Sequence, residues 1–150
     1  FKLGTRFSEP LGLLFSNEQG EKKSVIMGSY GIGPGRAMGT VAEVLSDEKG
    51  LVWPTEIAPF SYHLILISSK NAEVRAQADA LYTALSARGK RVLYDDREGV
   101  SAGEKFSDAD LMGMPEQIIV SEKTLSQGTY EVRTRVDGAS RFIHEQELIA

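Results

Sequence analysis

The chain has no cysteine, which removes disulfides and thiolate metal centres and fits a cytosolic setting. Its two histidines, His63 and His144, stand far apart. Neither an H-E-x-x-H pair nor a carboxylate-rich loop accompanies them, so no metal site is expected. No nucleophile–base pair and no carboxylate dyad stands out from spacing. No apolar run is long enough to span a bilayer and no signal-peptide pattern opens the chain, so no membrane role is expected. Positive charge is not in excess: 17 Lys and Arg against 21 Asp and Glu leave a net charge of −4. That excludes indiscriminate coating of nucleic acid but allows a local basic site for a structured RNA. The first residue is Phe1 rather than Met, and a fragment of a longer protein is expected. What is present, 41% hydrophobic and 25% charged residues in 150, is ordinary for one globular domain, or one domain plus part of another.

The densest stretch is residues 91–120, RVLYDDREGVSAGEKFSDADLMGMPEQIIV. Val92, Leu93 and Tyr94 suit a short buried strand. Asp95-Asp96-Arg97-Glu98-Gly99 cannot stay in a core and forms the loop that follows. Ser101 caps a helix, and Glu104 completes an S-x-x-E box able to satisfy two orphan N–H donors. Gly113 takes the left-handed stop cheaply and Pro115 prevents continuation. Ile118, Ile119 and Val120 make the next strand. At the mouth of this unit Arg97, Lys105 and Phe106 alternate with Asp95, Asp96, Asp108 and Asp110. Such a cluster suits single-stranded nucleic acid: cations take phosphates, a ring stacks a base, and carboxylates accept from guanine N–H groups. A solvated charged loop with Phe106 in the core is the alternative reading of the same residues.

Upstream, Leu11–Phe15 and Ser24–Met27 read as an antiparallel hairpin around the polar turn 17–21, too small to be stable alone. Gly28-Ser29-Tyr30-Gly31-Ile32-Gly33-Pro34-Gly35-Arg36 then sits at a strand-to-helix switch. Pro34 suits the first helical position, and Met38, Val41, Ala42 and Leu45 form one helical face ending near 46–49. A dinucleotide loop would need glycine where Arg36 stands, and a P-loop would need Gly-Lys-Ser/Thr. A tight packing turn remains open.

Trp53, Pro54 and Pro59 make a stiff connection in which Trp53 reads as a packing anchor, and a domain boundary is placed near 56–60. Downstream, His63–Ile67 suits a central strand, with Ser68 to Asn71 offering caps. Val74, Ala78, Leu81 and Leu85 follow with helical spacing, and Gly89 stops the helix. The strand at Arg91 closes a βαβ unit, which implies parallel pairing. Thr129–Val136 and Arg141–Ile143 flank the Asp137-Gly138 turn of a hairpin, and Glu145–Ile149 opens a last short helix. The fold class is therefore α/β: a five-stranded mixed sheet with about three helices over residues 58–150, preceded by a partial antiparallel-sheet piece over 1–57. Ligands in such sheets sit beyond the carboxyl ends of the parallel strands, where the loop 95–103 lies, beside a helix N-terminus that favours phosphate.

These runs also carry a resemblance. D-D-R-x-x-x-S-x-G-x-K-F-x-D-A-D-L-x-G-x-P, starting at Asp95, resembles the anticodon-binding domain of class II aminoacyl-tRNA synthetases, specifically of the prolyl kind. G-S-Y-G-I-G-P-G-R resembles motif 3 of that class, and W-P-x-x-I-A-P-F and F-K-L-G-T-R-F-S resemble the prolyl enzymes at their junction and near their amino-acid pocket. The resemblance implies a remnant of a catalytic domain over 1–57 and an anticodon-binding domain over 58–150. It implies ATP contacts from Gly31, Gly33 and Arg36, with Arg36 in the catalytic role. It implies a proline pocket near Gly4, Thr5, Gly28 and Ser29, and an anticodon site of Asp96, Arg97, Lys105, Phe106 and Asp108. The implied partners are proline tRNA, proline and ATP with Mg2+, in a cytoplasmic homodimeric parent enzyme of which this piece alone is inactive, because motifs 1 and 2 lie outside it. A non-catalytic synthetase-like binding module and a threonyl or histidyl synthetase are the competing readings.

Overall fold

The computed structural model describes residues 1–67 and 70–150, in two compact units, Phe1–Met38 and Gly39–Ala150. Ser68 and Ser69, expected as caps, lie outside the described residues. In the first unit β1 (Lys2–Gly4) pairs antiparallel with β4 (Met27–Gly28), and β2 (Leu14–Ser16) with β3 (Lys22–Ser24). The hairpin closes nearer its turn than the apolar runs suggest. Asn17 Oδ1 accepts from the N–H groups of Gln19 and Glu21, and Gly20 takes a positive φ of 78°, so pairing starts at once on either side. Residues 25–28 are thereby freed, and β4 joins β1 instead. Leu11, Ile26, Tyr30 and Ile32 remain in solvent, more apolar surface than so small a unit can cover. Helix α1 (Pro34–Val44) begins at Pro34 as expected, and none of its residues is buried among those described.

In the second unit the elements are β5 (Tyr62–Leu66), α2 (Ala72–Ala87), β6 (Val92–Asp95), α3 (Ala102–Met112), β7 (Glu116–Val120), α4 (Glu122–Gln127), β8 (Tyr130–Thr134), β9 (Ser140–Ile143) and α5 (Glu145–Leu148). They build one five-stranded sheet in the order β6-β5-β7-β8-β9. Strand β5 runs parallel to β6 and β7, whereas β8 and β9 are antiparallel additions. Strand alternation then sorts the side chains. Leu64, Leu66, Ile118, Val120, Tyr130 and Val132 meet Val74, Ala78, Leu81 and Leu85 of α2 in the apolar core. Each buried leucine there contributes about 1.5–3 kcal/mol. The opposite face carries His63, Asp95 and Gln117, and it belongs to α3, whose buried side chains are Lys105, Ala109 and Asp110.

The helix ends follow their local chemistry. Asn71 caps α2, and Gly89 beyond its C-cap takes φ 73°. Ser101 Oγ accepts from Glu104 N–H at 3.2 Å, and Gly113 ends α3 at φ 70°. Only this half of the expected capping box forms among the described residues, without a return bond from Ser101 N–H to Glu104. A full box appears instead at α4, between Ser121 and Thr124. This helix is absent from the expected count, so α2 to α5 are four rather than about three. The β8–β9 connection is also longer than the two-residue turn expected. Thr134 N–H reaches Ala139 O and Gly138 N–H returns to Thr134 O, so residues 135–139 form the loop.

Residues 47–53 lie against the end of α3. Asp47 Oδ1 accepts from Lys49 and Gly50 N–H, Leu51 N–H donates to Leu111 O, and Trp53 N–H donates to Gly113 O. The Trp53 indole N–H bonds Met112 O at 3.1 Å, so Trp53 is an anchor as expected. The approach admits no side chain: a Cβ on Gly113 would stand 1.9 Å from Leu51 O, and one on Gly50 2.4 Å from Leu111 Cα.

Candidate nucleic-acid interface

Lys105 is 2% exposed. Its ammonium donates to Leu66 O at 2.8 Å and Asp95 O at 3.2 Å, and lies 3.4 Å from Asp95 Oδ1. This is a correction to the phosphate role expected of it: a buried ammonium spent on two carbonyls and a carboxylate cannot meet RNA. The physical reason is the register. One turn into α3, position 105 faces the carboxyl ends of β5 and β6 and supplies a donor to the carbonyls of Leu66 and Asp95.

Asp95 passes the constraint outward. Its carboxylate receives Arg97 Nε at 2.9 Å and Nη2 at 2.8 Å, and Nη2 also reaches Asp108 at 2.7 Å. Burial alone would raise the Asp95 pKa; the hydrogen bonds from Arg97, with the Lys105 charge, outweigh it and hold the carboxyl at about 2. The bonds to Asp95 and then Asp108 push the Arg97 guanidinium above its ordinary value. Three expected site residues, Arg97, Lys105 and Asp108, therefore do converge, through Asp95. Asp96 stays at the surface beside Arg75, 3.9 Å away. Behind Arg97 lies a pocket of about 170 Å³ lined by His63, Leu93, Asp95, Asp108 and Met112. Burial lowers the His63 pKa and so favours the neutral ring, and its Nδ1 has no hydrogen-bond partner among the described residues.

Phe106 does not join this group. At 100° per residue it is turned about 160° from Asp108, onto the other flank of α3. Asp110 lies on that flank too, taking Gln117 Nε2 at 2.9 Å and Arg133 Nη2 at 3.0 Å. Burial would raise the Asp110 pKa, and these two bonds lower it. Strand pairing places Gln117 opposite Arg133 and Glu131 opposite Phe142, all on this face of the sheet. Phe142 is 51% exposed, with the Lys123 ammonium 6.0 Å from its ring centroid. Lys123, Arg133 and Phe142 were not singled out in the sequence. The alternation of β8 and β9 could have put the last two on one face, but Lys123 belongs to the unexpected helix α4.

In the first unit Gly4 and Gly28 line one open cleft of about 520 Å³ with Phe1, Ile26 and Tyr30. Thr5 and Ser29 directly follow these two glycines in the chain, and Ser29 exchanges backbone bonds with Phe1. Gly31, Gly33 and Arg36 are exposed, and a Cβ on Gly31 would meet nothing within 4 Å. Among the described residues, no helix is long and apolar enough to cross a membrane, and no group of three or more His, Asp or Glu side chains is placed to hold a metal ion.

The chain is similar to known proteins over its whole length. It is 44% identical over 149 residues to the proline--tRNA ligase of Geobacillus sp. (strain WCH70), covering 99% of this chain and 26% of that protein. It is 43% identical over 150 residues to the proline--tRNA ligase of Bacillus subtilis (strain 168), again 26% of that protein. The chain thus spans about a quarter of the length of these relatives. Among solved structures, prolyl-tRNA synthetase from Cryptosporidium parvum complexed with halofuginone and AMPPNP superposes with a TM-score of 0.79 at 25% identity, over 99% of this chain and 31% of that one. The Giardia lamblia prolyl-tRNA synthetase in complex with prolyl-adenylate gives 0.76 at 26% identity, over 99% and 32%. Residues 62–150, from β5 to the end of the chain, match the sequence model of the anticodon binding domain, and the chain belongs to that family.

Proposed function

We propose that the chain is the C-terminal part of a prolyl-tRNA synthetase and that its second unit reads the anticodon of proline tRNA. In the parent enzyme, a cytoplasmic homodimer, proline and ATP with Mg2+ form prolyl-adenylate, and the prolyl group passes to the tRNA. Residues 1–57 are the end of the catalytic domain and 58–150 the anticodon-binding domain. Arg36, with Gly31 and Gly33, contributes one wall of the ATP site, and Gly4, Thr5, Gly28 and Ser29 border the proline pocket. This piece by itself does not form the adenylate.

The observation that carries the anticodon reading is the Phe142 ring, half exposed on the sheet face beside α3 with the Lys123 ammonium over it, inside a domain of the anticodon-binding family. A ring on an open sheet stacks a base whatever its identity, and flanking cations take the phosphates. Phe106 and Arg133 extend this surface on one flank of α3, and Arg97, with Asp96 and Asp108, offers charge on the other. Lys105 serves the site by fixing Asp95 and hence Arg97. Titration of the chain with the proline-tRNA anticodon stem-loop at several salt concentrations tests the reading. Affinity is expected to fall with salt by a log–log slope of about 0.7 per phosphate contacted. No binding, or a slope of zero, contradicts it.

A further inference from the structure

Asp47 and Arg135 are 88 residues apart in sequence, yet they form a two-pronged ion pair, Nη1 to Oδ2 at 2.7 Å and Nη2 to Oδ1 at 2.6 Å. The Arg135 side chain is 2% exposed, so this carboxylate compensates its buried charge. The guanidinium has a second task, because its Nε donates to Asp110 O at 3.0 Å. Asp110 is thereby held at two points: its carbonyl by Arg135, and its carboxylate by Gln117 and Arg133. The segment that supplies Asp47 continues as a strap across the last turn of α3, through the bonds of Leu51 and Trp53. Glycine at 50 and 113 lets the two backbones touch.

We infer that this strap, residues 47–53, positions the base-reading flank of α3, with Asp47, Trp53 and Arg135 acting as positioning residues for anticodon recognition. None of the three needs to touch RNA. Asp47 holds Arg135, Arg135 holds the Asp110 backbone, and Asp110 sets the Gln117 amide and the Arg133 guanidinium on the face that carries Phe142. The strap precedes β5 in the chain, so residues outside the five-stranded sheet hold the last turn of α3. The inference rests on the RNA-binding reading and adds to it a set of residues away from the RNA.

The test uses the full chain, the proline-tRNA anticodon stem-loop, and the same stem-loop with one anticodon guanine replaced by adenine. Asp47→Ala is expected to raise the Kd for the natural stem-loop about tenfold and to erode discrimination against the substituted one by a comparable factor, as for residues coupled in one network. Asp47→Glu, which keeps the charge, restores most of both. Trp53→Phe removes the indole N–H together with part of the ring and is expected to weaken binding about threefold; it decides the matter if Asp47→Ala does not fold. Phe142→Ala separates RNA contact from positioning. If Phe142→Ala weakens binding while Asp47→Ala and Trp53→Phe leave affinity and discrimination unchanged, whatever happens to the unfolding midpoint, the strap is purely structural and the inference is overturned with the RNA reading intact. If the unaltered chain does not bind the stem-loop, both fall together.

Discussion

Lys105 Nζ lies 3.4 Å from Asp95 Oδ1, with both side chains shut away from solvent. This pair decides how the loop after β6 behaves. The lysine anchors the aspartate from inside, and both carboxylate oxygens accept from Arg97.

Removing the lysine is therefore a folding experiment before it is a binding experiment. Lys105→Met keeps most of the volume and leaves the carbonyls of Leu66 and Asp95 without their donor. A loss of about 3 kcal/mol in urea-induced unfolding is expected, in line with breaking one side of a buried pair. Lys105 itself meets no phosphate, so the salt slope of the folded variant changes only as far as Arg97 loses its place. A shallower slope with unchanged stability would return Lys105 to the RNA.

The same cluster predicts a pH dependence. The Asp95 pKa is about 2 in the folded chain against an ordinary 3.8, so the folded state favours the ionised carboxylate. Its contribution, about 2 kcal/mol, is fully present above pH 4 and is lost as the pH falls through 4 to 2. In Asp95→Asn that contribution is missing throughout. Unfolding free energies of the two chains, measured from pH 6 down to pH 2, are expected to converge at the acid end. Parallel curves would show that Asp95 does not titrate with the fold.

Much of this was legible in the residues, and what was not has identifiable causes. The apolar runs at 63–67, 92–94 and 118–120 appear as the three parallel strands β5, β6 and β7, because a strand buried on both faces leaves few alternatives to a continuous run. Gly113 and Pro115 end α3 by local geometry alone. Helix α4 stayed hidden because Glu122–Gln127 has little apolar periodicity and is held by its caps. Lys105 reads as a surface residue in any sequence, since nothing local reveals the carbonyls of Leu66 and Asp95 that receive it. The Asp47–Arg135 pair joins residues too distant for any spacing rule to connect.

The two phenylalanines near α3 are expected to differ. Phe142 is half exposed, so Phe142→Ala keeps the fold and weakens stem-loop binding by about 1–3 kcal/mol through lost stacking. Phe106 is partly buried, and Phe106→Leu is expected to lower the unfolding midpoint as well as affinity. Calorimetric titration paired with thermal unfolding of each variant checks this. Equal, undiminished affinity in both would remove the aromatic surface from the RNA site.

The most direct measurement is the affinity of this chain for the proline-tRNA anticodon stem-loop, compared with stem-loops in which the anticodon guanines are replaced one at a time. Tight binding to the natural loop, with each replacement costing about 1–3 kcal/mol, is the predicted result. Equal affinity for all of the loops would show that the domain holds RNA without reading it, and would contradict anticodon recognition by this face.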